Sequence, residues 1–152
     1  MGPLSGTNIL DLGTAGVGPR AVSLLGMMGA NVIKVEPPFG DALRMQLPFM
    51  RGVPTAYIFC NLNKRCISLD LKDEANRGIM EQLVREADVL IQNLRPGVME
   101  RLGLGYETVS ELNPSIVYVE CPGWGFQGEM RDKAAVAGVI DAFGGFTSLH
   151  GS

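Results

Sequence analysis

A chain of 152 residues with 46% apolar side chains and a mean hydropathy of +0.16 amounts to about one domain with enough apolar material for a core, which excludes a disordered chain. A formal charge of −3 and an isoelectric point near 5.1 exclude a general nucleic-acid binder. No apolar run reaches the roughly 20 residues of a membrane span, and Met1 to Gly6 lack the basic and apolar regions of a secretory signal, so a cytoplasmic, non-membrane protein is expected.

In chain order, Asn8 to Leu12 reads as a short strand and Gly13 to Pro19 as a glycine-rich turn. Pro19 suits the first position of a helix reaching to Met28, with Ala21, Leu24, Leu25 and Met28 as its buried stripe and Gly29 as its cap. Asn31 to Glu36 is a second strand. Strand, turn, helix and strand make a βαβ unit, which crosses over onto a parallel sheet. The turn glycines fall at 13, 16 and 18 rather than in G-x-G-x-x-G order. A dinucleotide fold would place an acid at the end of the second strand, where Glu36 stands, so that alternative stays open.

Residues 37–59 carry Pro37, Pro38, Gly40, Gly52 and Pro54 and read as irregular, with Asp41 and Arg44 expected to position a loop. Asn61 to Lys72 then changes character. Its head is a polar loop with the adjacent cations Lys64 and Arg65. Its tail alternates, with Ile67, Leu69 and Leu71 on one face and Ser68, Asp70 and Lys72 on the other, the period of a strand. Three cations at a loop-strand junction in an acidic chain suit an anion, or simply a solvated charge cluster. A helix follows from about Asp73 to Ala87, with Ile79, Met80, Leu83 and Val84 as its apolar face. Val89 to Gln92 reads as a buried strand that ends in Asn93-Leu94-Arg95-Pro96-Gly97. Short helices over 98–102 and 107–112, a strand over 116–120, a Gly- and aromatic-rich loop over 121–128 and a helix over 134–143 with apolar Val136, Val139, Ile140 and Phe143 complete the chain.

Cys60, Cys66 and Cys121 form no Cys-x-x-Cys pair, and His150 is the single histidine. Neither a disulfide framework nor a metal site is supported, and the thiols are expected reduced.

Five stretches carry a resemblance: Asn8 to Leu12 with Gly18-Pro19, Gly29 to Glu36, Asn63-Lys64-Arg65 with Ser68 to Lys72, Ala87 to Gly97, and Leu112-Asn113-Pro114 with Ile116 to Tyr118. In order and spacing they resemble the family III CoA-transferases, the group of formyl-CoA and carnitine CoA-transferases and α-methylacyl-CoA racemases. Those proteins are far longer, so the resemblance is to their N-terminal part.

The resemblance implies an α/β fold, a Rossmann-like parallel sheet with helices on both faces, with residues 1–152 as the N-terminal CoA-binding portion of a larger CoA-transferase. It implies CoA held at Val17, Leu69, Lys72, Asn93, Leu94, Arg95 and Arg101, with acyl-CoA and a carboxylic acid acceptor as partners and no metal. It implies an aspartate nucleophile, giving an aspartyl-CoA intermediate, placed beyond residue 152, so no catalytic residue is expected here. The full enzyme would be a homodimer or need a complementing chain, and the isolated chain would be inactive.

Departures stand at Thr14, Gly16, Pro37 and Leu94. The racemase His-Asp pair reads Val136-Ala137, which disfavours α-proton abstraction. The alternatives are a non-catalytic CoA-binding module and an NAD-binding oxidoreductase domain.

Overall fold

The computed structural model describes residues 2–149. The expectation attached to His150 lies outside them. In chain order the elements are β1 (Asn8–Asp11), α1 (Val17–Met27), β2 (Asn31–Glu36), a 3-10 turn (Ala42–Met45), β3 (Phe49–Met50), β4 (Val53–Pro54), α2 (Thr55–Cys60), β5 (Lys64–Ser68), α3 (Glu74–Glu86), β6 (Val89–Gln92), α4 (Val98–Arg101), α5 (Tyr106–Leu112), β7 (Val117–Glu120), α6 (Ala137–Phe143) and α7 (Phe146–Leu149). Five strands form one parallel sheet in the order β5-β2-β1-β6-β7, and β3 pairs with β4 as a separate antiparallel ribbon. The architecture is α/β with a parallel sheet, as the βαβ pattern implied.

Alternation along the strands sends successive side chains to opposite faces. Leu10, Val35, Leu69 and Leu90 pack with Met80 and Val84 of α3, Met99 of α4 and Val109 of α5. Ile9, Val32 and Ile91 face the other way and pack with Val22 and Leu25 of α1. Helices therefore cover both faces. The chain runs from β1 outward to β2 in one direction and to β6 in the other. This reversal opens a crevice beyond the strand carboxyl ends, the usual ligand position in such sheets.

Several sequence expectations are corrected. The helix begins at Val17, so Pro19 is its third residue, still within the first turn where the backbone N–H has no helical partner. Its buried face is Gly18, Pro19, Val22 and Ser23, whereas Ala21, Leu24 and Met28 are exposed. Ser23 can be buried because its hydroxyl donates to the Leu62 carbonyl at 3.1 Å. Residues 37–59 are not irregular throughout: they hold the 3-10 turn, the β3–β4 ribbon and α2.

The third sheet strand starts at Lys64 rather than beyond the basic pair. On its polar face the Lys64 side chain is buried on Asp11, whereas Cys66 and Ser68 are exposed, so the alternation there does not by itself mark solvent. Ile79 of α3 is exposed, whereas Met80 and Val84 are buried as read. The last helix of that reading begins at Ala137 rather than Ala134, and its apolar residues Val136, Val139 and Phe143 are exposed. Among the described residues no helix is long and apolar enough to cross a membrane.

Candidate functional site

The strand-end loops are held by charges inside the protein. On the α1 face, Asp11, Lys34 and Lys64 are fully buried at the side chain. Lys64 Nζ donates to Asp11 Oδ2 at 2.7 Å, to the Pro19 carbonyl at 2.6 Å and to Asn61 Oδ1 at 3.1 Å, which uses all three of its protons. Burial pushes the Lys64 ammonium down, with the Asp11 charge opposing that shift. Lys34 Nζ donates to the Gly13 carbonyl at 2.7 Å and pairs with Asp41 at 3.0 Å. Two lysines thus balance two aspartates in a dry setting, where each ion needs its partners to offset desolvation.

This network shapes the turn after β1. Asp11 Oδ1 accepts from Gly13 N at 2.9 Å, and the Asp41 carboxylate accepts from Ala15 N at 3.2 Å and from Leu43 N at 2.8 Å. Ala15 sits at φ 57°, a left-handed conformation unusual for a residue with a Cβ, and the Asp41 contact helps hold it there. Across the sheet reversal, the Asn93 amide both accepts from Thr14 N and donates to Thr14 O, each at 2.8 Å. The loops after β1, β2 and β6 are therefore tied to one another.

A second cluster stands beside the first. Arg44 grips Glu36 through Nε at 2.6 Å and through a terminal nitrogen at 3.1 Å, and also donates to the Tyr57 hydroxyl at 2.6 Å. That hydroxyl donates to Glu36 Oε1 at 2.6 Å and lies 3.4 Å from Cys66 Sγ. Burial acts to raise the Glu36 carboxyl. The Arg44 and Tyr57 hydrogen bonds and the Arg44 and Lys34 charges outweigh it, so the carboxyl lies below its ordinary value. Burial, with Cys66 and Glu36 alongside, pushes Tyr57 well up, so it remains a hydroxyl donor. Arg44 also lies 4.0 Å over the Tyr57 ring.

Above these clusters a cleft of about 550 Å³ opens at the strand carboxyl ends. Leu12 to Thr14 after β1, Val35 to Ala42 around the end of β2, Leu69 to Lys72 after β5, Leu94 after β6 and Leu102 after α4 line it. The surface is mainly aliphatic. Lys72 is its one cationic lining residue among those described.

The structure distributes the expected site residues unevenly. Leu69, Lys72 and Leu94 line the cleft together. Asn93 is outside the lining but holds Thr14, which is in it. Arg101 ends α4 beside the lining residue Leu102. Arg95 is exposed on the loop after β6, and Val17 opens α1 with 73% of its surface exposed; neither lines the cleft. Among the described residues Lys72, Arg95 and Arg101 form no ion pair.

Two cations expected on this rim are elsewhere. Lys64 has spent its protons inside the protein. Arg65 donates to Asn31 Oδ1 at 2.8 Å, and both lie at the amino-terminal ends of their strands. Asp41 and Arg44, expected to position a loop, do so here, whereas sequence reasoning missed Asp11, Lys34 and Tyr57 as their partners in the scaffold of the cleft. The legible signal was a charge inside each apolar strand: Asp11 after Ile9-Leu10, and Lys34 between Ile33 and Val35.

A parallel sheet with a mainly aliphatic cleft at its carboxyl rim, edged by Lys72, defines an α/β protein with a concave site at the usual ligand position of such sheets. Residues 4–152 match CoA-transferase family III, and the chain belongs to that family. It is 38% identical over 151 residues to the acetyl-CoA:oxalate CoA-transferase of Acetobacter aceti, an alignment covering 99% of this chain and 39% of that protein. It is also 38% identical to the human succinyl-CoA:glutarate CoA-transferase, covering 98% of this chain and 34% of the relative. Among solved structures, a CAIB/BAIF family protein from Brucella suis superimposes with a TM-score of 0.89 at 34% identity, over 95% of this chain and 39% of that one. The chain thus spans less than two fifths of the length of these relatives.

Proposed function

We propose that this chain is the CoA-binding, N-terminal portion of a CoA-transferase that moves coenzyme A between carboxylic acids. The observation carrying this reading is the cleft at the strand carboxyl ends, in which Leu69, Leu94 and Lys72 meet, in a chain of this family. Leu69 and Leu94 supply aliphatic wall to the nucleotide. Lys72, Arg95 and Arg101, cations without ion-pair partners among the described residues, bind its phosphates, and Arg101 takes the 3′-phosphate. Charge-assisted bonds of this kind are roughly twice as strong as neutral ones. Asn93 keeps the Thr14 turn in place beside the ligand, and Val17 borders the site at the start of α1.

The chemistry of this reading is covalent. An aspartate carboxylate attacks the acyl-CoA thioester carbonyl, expelling CoA thiolate and leaving an acyl-aspartyl anhydride. The thiolate then attacks the aspartyl carbonyl and releases the donor carboxylate, leaving an aspartyl-CoA thioester. The acceptor carboxylate attacks that thioester, again expelling thiolate, and the thiolate takes the acceptor's acyl group from the new anhydride. No residue of 1–152 is assigned the nucleophile; Asp141 lies in α6, away from the cleft lining. The working enzyme is a cytoplasmic homodimer or a complemented assembly.

Calorimetric titration of the purified protein with CoA, acetyl-CoA and NADH tests the binding part. Saturable binding of CoA and acetyl-CoA without NADH is expected. Binding of NADH alone would overturn the reading in favour of a dinucleotide domain.

A further inference from the structure

The residues after β2 form a tight turn whose tip is an aromatic ring in solvent. Gly40 N donates to the Pro37 carbonyl at 2.8 Å, closing residues 37–40, with Pro38 and Phe39 at the corner. Phe39 is 86% exposed. An exposed phenylalanine alone is unremarkable on a surface. This one is held by both feet of its turn.

On one side Glu36 is clamped by Arg44 and Tyr57. On the other, Asp41 N donates to Glu36 Oε2 at 3.3 Å, while the Asp41 carboxylate is fixed by Lys34, Ala15 N and Leu43 N. Gly40 is required there: its φ is +84°, and a Cβ would fall 2.6 Å from the Arg44 side chain. A turn anchored by two buried clusters presents its tip side chain with little backbone freedom left to lose on binding.

The ring it presents is a wall of the cleft. Phe39 is the one aromatic residue lining it among those described, sharing the cleft with the aliphatic Leu12, Val35, Leu69, Leu71, Leu94 and Leu102. Leucine offers a planar ligand contact area but no π face. A second cleft of about 330 Å³ shares this turn as part of its lining, together with Arg44 and Cys66 to Ser68, so the turn borders two clefts.

We propose that Phe39 stacks on the nucleobase of bound CoA, so that the aromatic wall of this site comes from the rigid turn after β2. This inference rests on the CoA-binding reading above. It assigns the base to the β2 side of the cleft and leaves the phosphates to the cations after β5 and β6 and at the end of α4.

The test is calorimetry on the wild type, Phe39→Ala and Phe39→Trp, with CoA and with adenosine 3′,5′-bisphosphate, which lacks the pantetheine arm. Stacking of one base on an aromatic side chain is worth about tenfold or more in affinity. Phe39→Ala should weaken both ligands by the same factor, and Phe39→Trp should retain wild-type affinity. Unchanged CoA affinity in Phe39→Ala, a loss confined to CoA, or an equal loss in Phe39→Trp would each overturn the Phe39 assignment while leaving CoA binding intact. A wild type that binds no CoA would instead overturn the parent reading, and this inference with it. Because Phe39 is exposed, the variants should unfold at the wild-type urea concentration, which separates a lost contact from a lost fold.

Discussion

Lys34 and Lys64 stand on the α1 face of the sheet, and Lys72 and Arg101 at its carboxyl rim; the two pairs carry the same charge and do opposite things. The inner pair is buried against carboxylates and carbonyls: Lys64 donates all three of its protons to them, and Lys34 is held by the Gly13 carbonyl and Asp41. The outer pair has no ion-pair partner among the described residues. Cationic side chains in one stretch of sequence, such as Lys64 and Lys72, therefore separate into structural and ligand-facing roles by what the fold places beside them.

The largest effect should come from breaking the inner group. Asp11→Ala leaves Lys64 and Lys34 buried without their shared carboxylate, which costs about 3–5 kcal/mol. A urea unfolding curve should shift accordingly. Replacing the pair together, Asp11→Leu with Lys64→Met, should recover much of that loss, since a buried ion pair often gives little net stability over well-packed apolar residues. A double variant no more stable than Asp11→Ala would mean that the network is needed for the shape of the Gly13–Ala15 turn rather than for charge balance.

The outer group should behave in reverse. Arg101→Ala should leave unfolding within about 0.5 kcal/mol of wild type, as surface substitutions do. Loss of charge-assisted hydrogen bonds to a phosphate should weaken CoA about tenfold or more. The 3′-dephospho analogue should be far less affected. Equal losses for both ligands would remove Arg101 from the 3′-phosphate.

The smallest expected effect concerns pH and lies in the Glu36–Arg44–Tyr57 cluster. The folded Glu36 carboxyl lies below its unfolded value, because its hydrogen bonds and neighbouring cations outweigh burial. Its contribution is therefore fully present above the ordinary glutamate value, about 4.3, and is lost as pH falls through that value toward the lower folded one. Urea midpoints measured down to pH 3.5 should decline less steeply in Glu36→Gln than in wild type. An equal or steeper decline would show that Glu36 is not among the groups responsible.

The order of elements, the βαβ start and the parallel sheet were legible from period-two strands separated by helical stretches, since those patterns depend on local spacing. Asn31 to Glu36 and Val89 to Gln92 are strands as read, and the first strand, read to Leu12, ends at Asp11. Leu69, Lys72 and Leu94 also meet in one cleft, because each follows the end of a parallel strand and the sheet brings such ends together. The partners of the charges were not legible. Lys64 finds Asp11 across 53 positions and Lys34 finds Asp41 only through the folded turn after β2. Nor could alternation alone tell that the Lys64 side chain of β5 is buried or that Val136, Val139 and Phe143 stay exposed. Periodicity is a property of neighbouring residues, whereas desolvation and ion pairing depend on what distant segments bring to the same place.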